Sequence, residues 1–464
     1  MNKRKIIDEI YGKPRKGQTT NFIAHFPDLI DIVLNDYEAK FLLSNGDIWP
    51  DKEYNGILYH PPPIERLGFS LPDYEGIKEA SLRHSGVSGD YGVSEGLSQN
   101  QKKAKCYEDE VLCKKLLNYY KESAELPDDR LYLLLVSWVF HTHLLEKFEY
   151  SPIIFFAGLP EKGKSRMAKA MIATARRGIV KASVTDAQLI REASDHQATL
   201  FFDTTDFEKS MDKSGSMDII LSRYERGLKV GRVKDYQKGP FQDMVYYDVF
   251  GPTIISSNQT IETVLGSRTL TIIMRQAIRK IKKHVDFVYG NQLRNELIAW
   301  RLKHFNDILL EPNRIISGRL GDIVEPLHQI ILKVYPESEN DFVDIVKELE
   351  KKRYIAKADS LEGETIQAIL ALEDYIVNGI LAVKLITDKV NEEKSEKEKI
   401  TYQKMGRKLD IMGFTKAKTG TGTSAIEWNE KLNESLAIEH NILKETQVPS
   451  EIQEITETPE MEVI

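Results

Sequence analysis

The stretch Gly158-Leu-Pro-Glu-Lys-Gly-Lys-Ser165 decides the fold. It satisfies the spacing G-x-x-x-x-G-K-[ST], and it lies between the apolar run Pro152 to Phe156 and the helix-forming run Arg166 to Ala175. Glycines let the backbone of such a loop curl so that its N–H groups and the following helix N-terminus face a bound phosphate. The sequence therefore predicts a strand, a phosphate-binding loop and a helix. The simpler alternative is a glycine turn that carries a solvated lysine.

The overall composition is that of an ordinary globular protein. The chain has 464 residues, of which 41% are hydrophobic and 29% charged, which excludes disorder throughout and admits two or three domains. Cys106 and Cys113 are the only cysteines, so a disulfide framework and a zinc site built from cysteines are excluded. The longest apolar run, Leu131 to Phe140, is about half of the ~20 residues that a membrane crossing needs. We expect a cytoplasmic protein with no membrane partner.

The net charge of −7 is concentrated at one end of the chain. Residues 431–464 hold two lysines and eight glutamates, a net charge of −6, so the preceding 430 residues are nearly neutral. An acidic whole-chain balance is therefore no argument against nucleic-acid binding, which depends on local clusters of basic residues.

Strand-like and helix-like runs alternate between residues 151 and 275. The predicted strands are Ile153 to Phe156, Ile179 to Ala182, Thr199 to Phe202, Gly251 to Ser256 and Thr269 to Met274, and helical segments lie at Gly163 to Ala175 and Ile219 to Gly227. Alternation of this kind predicts an α/β fold, in which a parallel sheet lies between helices.

Carboxylates for a magnesium ion follow one of these strands. Lys164 would reach the β and γ phosphates, and Ser165 would ligate Mg²⁺ together with Asp203, at the end of Thr199 to Asp203. The alternative for Asp203 is a helix cap. Thr204 follows it where a catalytic glutamate is usual, so Asp206 is the candidate base.

Two further candidate catalytic residues lie between the last two predicted strands. Asn258 ends the apolar run Gly251 to Ser257, where its amide would orient the lytic water or simply make a turn. Arg268 precedes the strand Thr269 to Met274, and it would act as an arginine finger or form a surface salt bridge.

In their order along the chain, these motifs resemble the AAA+ helicase core, specifically the superfamily 3 and primase-associated helicases of phages, plasmids and integrated mobile elements. The stretches Trp138 to His143 and Tyr224 to Gly227 look similar to that group, and the likeness spans roughly residues 105–310. The resemblance implies ATP and Mg²⁺ as cofactors, Asn258 as sensor 1, and Arg268 acting in trans within a ring that is most often a hexamer. His141 and His143, on the helical apolar segment, are expected to be packing residues. The nucleotide would contact Gly158, Leu159, Pro160, Glu161, Lys162, Gly163, Lys164, Ser165 and Arg166.

A basic segment precedes Asn258. Residues 221–240 carry a local net charge of +4, and Lys238-Gly239-Pro240 is a turn between two strand-like runs. In the family resembled, a hairpin at this place points into the channel of the ring. We expect Lys234 and Lys238 to bind the phosphates of a single DNA strand. A solvated basic loop is the alternative.

The chain is predicted to be divided into six parts. They are an α+β module (1–84), a Gly/Ser-rich linker (85–104), the P-loop ATPase with its leading helices (105–310), a helical connector (311–359), a winged-helix-like domain (360–435) and an acidic disordered tail (436–464). The winged-helix-like domain would bind duplex DNA or dock a protein. Its candidate DNA contacts are Lys404, Arg407, Lys408, Lys416 and Lys418.

Together these features predict an ATP-dependent DNA helicase or translocase of mobile-element replication, with a primase or replication initiator as a candidate partner. The first alternative is an AAA+ switch that loads or remodels partners on DNA without unwinding it, which Thr204 favours. The second is a small-molecule phosphotransferase, although nothing in the sequence resembles an acceptor lid.

Overall fold

The computed structural model describes residues 19–21, 26–84, 99–181, 185–233, 244–259, 261, 263–279, 281, 284–358, 360–392, 394–395, 398–440 and 442. The chain forms two compact units, residues 1–347 and 348–464. The division falls inside the predicted helical connector, and the finer domain boundaries stay predictions. No helix among the described residues is long and apolar enough to cross a membrane.

The first unit begins with a small α+β segment. Its elements are β1 (Thr19–Asn21), β2 (Leu29–Asn35), β3 (Glu38–Leu43), β4 (Ile48–Trp49), β5 (Lys52–Tyr54), β6 (Ile57–Tyr59) and α1 (Tyr74–His84). Strands β2, β3 and β4 form one sheet, and β1, β6 and β5 form another. The inward residues of β2 and α1 share a hydrophobic cluster with Ile298 and Ala299 of the core, so this segment packs directly on the rest of the unit.

A five-stranded parallel sheet forms the centre of the first unit. The remaining elements of this unit are α2 (Gln99–Ser123), α3 (Arg130–His143), β7 (Ile153–Ala157), α4 (Lys164–Thr174), β8 (Gly178–Lys181), α5 (Asp186–Ile190), β9 (Thr199–Asp203), α6 (Phe207–Ser214), α7 (Met217–Ser222), β10 (Lys229–Val233), β11 (Met244–Asp248), β12 (Thr253–Ser257), α8 (Thr263–Gly266), β13 (Thr269–Ile273), α9 (Phe287–His304) and α10 (Gly318–Val334). The division between the two units falls within α11 (Glu339–Ala358). A π-helical turn, Arg191–Asp195, continues α5.

The strand order is β13-β7-β12-β9-β8, with the first strand of the phosphate-loop motif next to the centre. Every residue of β7 and β12 is buried, as expected for strands covered by helices on both faces. The predicted α/β fold with a parallel P-loop sheet is confirmed. The parallel register brings the carboxyl ends of β7, β9 and β12 to one edge, which is where the candidate site lies.

A buried cluster of charges ties β2 to the helices behind the sheet. Asp31 accepts a hydrogen bond from Arg177 Nε at 2.6 Å, and its other oxygen lies 3.6 Å from Arg176 Nε. Arg301 of α9 donates to the backbone oxygens of Ile30 and Leu29 at 2.8 and 3.0 Å. Burial raises the pKa of Asp31, but attraction to Arg177 and Arg176 outweighs it and lowers that pKa from 3.8 to about 2.

The second unit has the element order of a winged helix. It contains α12 (Leu361–Ala371), β14 (Ile380–Ala382), α13 (Val383–Asn391), α14 (Tyr402–Ile411), β15 (Lys416–Lys418), β16 (Ser424–Glu427) and α15 (Glu430–Glu439). The strand order is β14-β16-β15, and the glycine-rich turn between β15 and β16 lies where the wing is predicted. Met405 and Leu409 face its buried core.

Two sequence expectations concern segments near the ends of these units. The predicted linker, 85–104, lies mostly outside the described residues, and its last six residues belong to α2, which begins at Gln99. The helix extends further back than expected because residues 99–104 contain neither glycine nor proline. The predicted disordered tail, 436–464, begins too early, because α15 continues to Glu439 with Ala437 buried in its core, and almost all of the remaining tail lies outside the described residues.

We predict that Asp31→Asn destabilises the first unit by about 3 kcal/mol, because it leaves buried arginines without their carboxylate. The free energy of unfolding measured in urea checks this. The folded-state pKa of Asp31 lies below its unfolded value, so the contribution is present above pH 4 and is lost as the pH falls from about 4 towards 2.

The matched control is Asp36→Asn. Asp36 lies just after β2, is largely exposed, and makes only a long contact of 3.8 Å with Lys40. Its substitution should change the free energy of unfolding by less than about 0.5 kcal/mol. Equal effects of the two substitutions would refute the role given to Asp31.

Candidate nucleotide-binding site

The glycine loop, Gly158–Ser165, connects β7 to α4 in a conformation that its glycines permit. Gly158 has φ of 140°, and a Cβ atom there would lie 2.7 Å from the backbone oxygen of Met274. Gly163 has φ of 85° and forms the N-cap of α4. No side chain caps this helix, and its first turn carries no acidic residue, so the N-terminal N–H groups are suited to an anion.

The ammonium group of Lys164 lies across the loop. Its Nζ donates to the backbone oxygens of Gly158 at 2.7 Å and of Leu159 at 2.6 Å. The side chain is buried, and burial lowers the pKa of Lys164, while the nearby charge of Asp203 opposes that shift. Neutral carbonyls, not a carboxylate, hold this lysine, so it is a cation available to an incoming phosphate.

The two predicted magnesium ligands meet at the carboxyl edge of the sheet. Ser165 Oγ donates to Asp203 Oδ1 at 2.7 Å, although the two residues are 38 positions apart. Asp203 is the last residue of β9 and pairs in register with Ser256 of β12. A hydroxyl and a carboxylate in contact form an oxygen-donor set of the kind that Mg²⁺ prefers.

Asp206 has a local structural role. Its carboxylate is the N-cap of α6 and accepts from Lys209 N at 3.2 Å. The helix cap that was the alternative for Asp203 is therefore found at Asp206, because the turn Thr204–Thr205 places α6 three residues later. The assignment of Asp206 as the catalytic base stays a prediction.

Asn258 follows β12, the strand between β7 and β9. Its backbone N–H donates to Thr205 O at 3.2 Å, which brings the segment after β12 against the segment after β9. The side chain is half-buried at the same edge of the sheet as Asp203. Its role as sensor 1 remains a prediction.

Arg268 lies at the amino-terminal ends of the parallel strands, opposite the carboxyl-terminal ends where the glycine loop lies. Its backbone oxygen accepts from Ile153 N at the start of β7, whereas the glycine loop follows the end of that five-residue strand, about 17 Å away. The guanidinium stacks 4.7 Å from the ring centroid of Tyr224 and makes no ion pair with any described carboxylate. Arg268 therefore cannot reach the phosphates of its own loop.

The other loop residues surround this arrangement. Leu159, Pro160 and Glu161 are exposed, and Lys162 Nζ donates to Gln276 Oε1 at 2.5 Å. Arg166, in the first turn of α4, donates to the backbone oxygen of Ser123.

A cavity of about 660 Å³, which no feature of the sequence indicated, adjoins the loop. Its wall includes Ser165, Arg166, Lys169 and, from distant segments, Ser70 and Arg294. No sequence motif indicated Ser70 or Arg294, because only the packing of the N-terminal α+β segment, α4 and α9 brings them together.

The described arginines of the basic segment before Asn258 are bonded within the protein. Arg223 is fully buried and donates to the backbone oxygens of Val249, Ala198 and Pro252. Arg232 pairs with Asp186 and Asp218 at 2.7 and 3.0 Å. Strands β10 and β11 form the expected hairpin stem, but Lys234 and Lys238 lie outside the described residues.

Five candidate DNA contacts lie in the second unit. Lys404 and Arg407 are exposed on α14, and Lys418 is exposed on β15. Lys408 and Lys416 are instead ion-paired within the unit, to Glu362 at 2.5 Å and to Asp410 at 2.8 Å. Lys404, Arg407 and Lys418 are therefore the candidate DNA contacts of this unit that form no ion pair with a described carboxylate.

His141 and His143 lie in the core of the first unit. His141 Nε2 lies 3.0 Å from Ser151 Oγ, and His143 Nε2 lies 3.0 Å from Thr174 O. Burial lowers the pKa of each to about 3, so both are neutral packing residues. No group of metal-ligating His, Cys, Asp and Glu occurs among the described residues.

No family model and no curated protein matches this chain. Among solved structures it is similar to the C-terminal region of NrS-1 in apo form, with 14% identity and a TM-score of 0.35, over 92% of this chain and 90% of that one. It is also similar to inhibitor-bound JCV helicase, with 14% identity and a TM-score of 0.27, over 68% and 70%. For Cdc6p from Pyrobaculum aerophilum the values are 10%, 0.20, 68% and 95%. The assignment below rests on the residues of this chain.

We predict that Lys164→Ala weakens Mg·ATP binding about 10- to 100-fold, because the ammonium group offers charged hydrogen bonds to the phosphates. Isothermal titration of the full chain measures this. Lys213→Ala is the control, since it removes an exposed lysine from the last turn of α6, outside the glycine loop. Similar losses in both variants would contradict the assignment.

Proposed function

We propose that the chain is an ATP-dependent DNA helicase or translocase that hydrolyses ATP at the interfaces between subunits of a ring. The contact between Ser165 and Asp203 beside an ammonium group held only by carbonyls carries the proposal. It joins the end of β9 to the first turn of α4, which is the arrangement that a magnesium-bound triphosphate requires.

Mg²⁺ would be held by Ser165 directly and by Asp203, whose oxygen donors fit it. When bound, the ion supplies charge neutralisation for the β and γ phosphates. Lys164 would exchange its two carbonyl acceptors for phosphate oxygens, while the N–H groups at the start of α4 bind the same phosphates. Asn258 would orient the attacking water from the neighbouring strand end.

The guanidinium that stabilises the transition state would come from another copy of the chain. Arg268 lies about 17 Å from its own loop, at the far end of β7 and β13, so only Arg268 of an adjoining protomer fits this role. A head-to-tail contact between the two edges of the sheet repeats around a closed ring. This geometry favours a cyclic oligomer, of which a hexamer is our expectation.

DNA would contact the basic hairpin and the second unit. The stem of the hairpin, β10 and β11, is anchored to the core through Arg232, Asp186 and Asp218, so motion of the core would reach its tip. Lys234 and Lys238 would bind a single strand in the channel. Lys404 and Arg407 on α14 would bind duplex DNA through its phosphates.

A switch that binds ATP and remodels partners on DNA without unwinding is the second candidate. It is favoured by Thr204 in place of a catalytic glutamate and by the use of the Asp206 carboxylate as a helix cap. A strand-displacement assay with ATP separates the two. Release of the displaced strand supports the helicase, whereas ATP binding without release supports the switch.

We predict that Lys164→Ala and Arg268→Ala each abolish ATP hydrolysis, and that mixing the two variants restores part of it. The reason is that a site between two protomers takes its loop from one and its guanidinium from the other. About a quarter of the interfaces in a random mixture would then be complete. Steady-state phosphate release from each variant and from the mixture measures this.

Arg314→Ala is the control, because this exposed arginine bonds only to its own loop and Asp322. It should hydrolyse ATP at the rate of the unmodified chain. A mixture no more active than its components would mean that Arg268 does not complete a neighbouring site.

We further predict that the double substitution Lys404→Ala and Arg407→Ala weakens duplex binding and lowers the slope of log affinity against log salt by about 2, because two phosphate contacts are lost. Fluorescence anisotropy at several salt concentrations measures it. Lys431→Ala, which removes an exposed lysine from α15 of the same unit, should leave the slope unchanged. An unchanged slope in the double variant would favour protein docking for this unit.

A further inference from the structure

The cavity beside the glycine loop extends along one face of α4. Ser165, Lys169 and Ala173 line it at intervals of four residues, which is about 12 Å of helix from the first turn to the last. Its volume of about 660 Å³ is within the range of small-molecule sites. Since Ser165 belongs to both, the cavity and the phosphate-binding loop are continuous.

The lining of the cavity combines cations with apolar side chains. Arg166, Lys169 and Arg294 are its charged residues, and no described lining residue is a carboxylate. Ile172, Val285 and the half-exposed ring of Phe287 form apolar surface. A ligand that fits this lining combines hydrogen-bond acceptors with a flat or apolar part.

Arg294 is the most unusual residue of the wall. It is 4% exposed, and among the described residues its hydrogen-bond partner is the hydroxyl of Ser70, to which Nη1 and Nη2 each donate at 3.2 Å. Its Nε has no hydrogen-bond partner, and it forms no ion pair with a described carboxylate. A buried guanidinium left this incompletely bonded is costly unless a ligand supplies acceptors.

Ser70 belongs to the segment that precedes the P-loop core. This segment is fixed to the core by the buried Asp31–Arg177 pair and by the hydrophobic cluster shared with α9. The position of Ser70 against Arg294 is therefore set by the fold, and the N-terminal segment forms one wall of the cavity.

We propose that the cavity binds the nucleoside part of the nucleotide whose phosphates the glycine loop holds, with Arg294, positioned by Ser70, as a nucleoside-binding residue. This inference rests on the proposed function. It gives the N-terminal segment a part in nucleotide binding, and it assigns contact with the base to the apolar lining residues Ile172, Val285 and Phe287.

The test compares Mg·ATP with Mg·tripolyphosphate, which carries the phosphates but no nucleoside, by isothermal titration of the full chain. Arg294→Gln should weaken ATP binding on the order of tenfold and leave tripolyphosphate binding within about twofold. Ser70→Ala, which removes the hydroxyl without disturbing the core, should weaken ATP binding about threefold with the same selectivity. If the Arg294→Gln variant does not fold, the ATP and tripolyphosphate affinities of the Ser70→Ala variant test the proposal.

Two controls separate the possible failures. Arg66→Gln removes an exposed arginine four residues before Ser70 and should change neither affinity. Lys164→Ala should weaken both ligands, and if it weakens neither, the proposed function itself fails. If Lys164→Ala weakens both while the Arg294 and Ser70 variants affect neither ligand, or affect both equally, the nucleoside assignment is overturned and the phosphate site stands.

Discussion

A buried ammonium group held by two backbone oxygens is the constraint on which the functional account depends. Lys164 Nζ occupies the space enclosed by the glycine loop, directly in front of the uncapped N-terminus of α4. The ammonium charge and the N–H groups at the start of α4 therefore lie close together. The nearby carboxylate is that of Asp203, which accepts a hydrogen bond from Ser165. Such a place is favourable for a polyanion with a divalent cation, and unfavourable for most other ligands.

The parallel sheet separates the candidate site residues between the two ends of its strands. The loop, Asp203 and Asn258 follow carboxyl ends of adjacent strands, whereas Arg268 precedes the amino end of β13. One end thus offers a phosphate site and the other a guanidinium stacked on Tyr224. Under the proposed function, Arg268 would therefore complete the site of a second protomer, because no rotamer of arginine spans the length of a strand.

Much of the fold was predictable from hydrophobic runs and from the glycine loop, since fully buried parallel strands appear in sequence as short apolar segments. The pairing of Ser165 with Asp203 was also anticipated from motif spacing. The bonding partners of individual charged residues could not be predicted from the sequence. Arg223 and Arg232, in the basic segment before Asn258, bond to carbonyls and carboxylates that lie far away in sequence, and no linear motif indicates such partners. Arg294 and Ser70 gave no signal, because a cavity wall assembled from three segments has no linear motif.

The most direct test of the account is an experimental structure of the chain with Mg²⁺ and a non-hydrolysable ATP analogue. The account predicts that Lys164 Nζ leaves the backbone oxygens of Gly158 and Leu159 and contacts the β and γ phosphates, with the Arg268 guanidinium of an adjoining protomer at the γ phosphate. A structure in which Lys164 stays on those oxygens, with the analogue bound elsewhere, would contradict it.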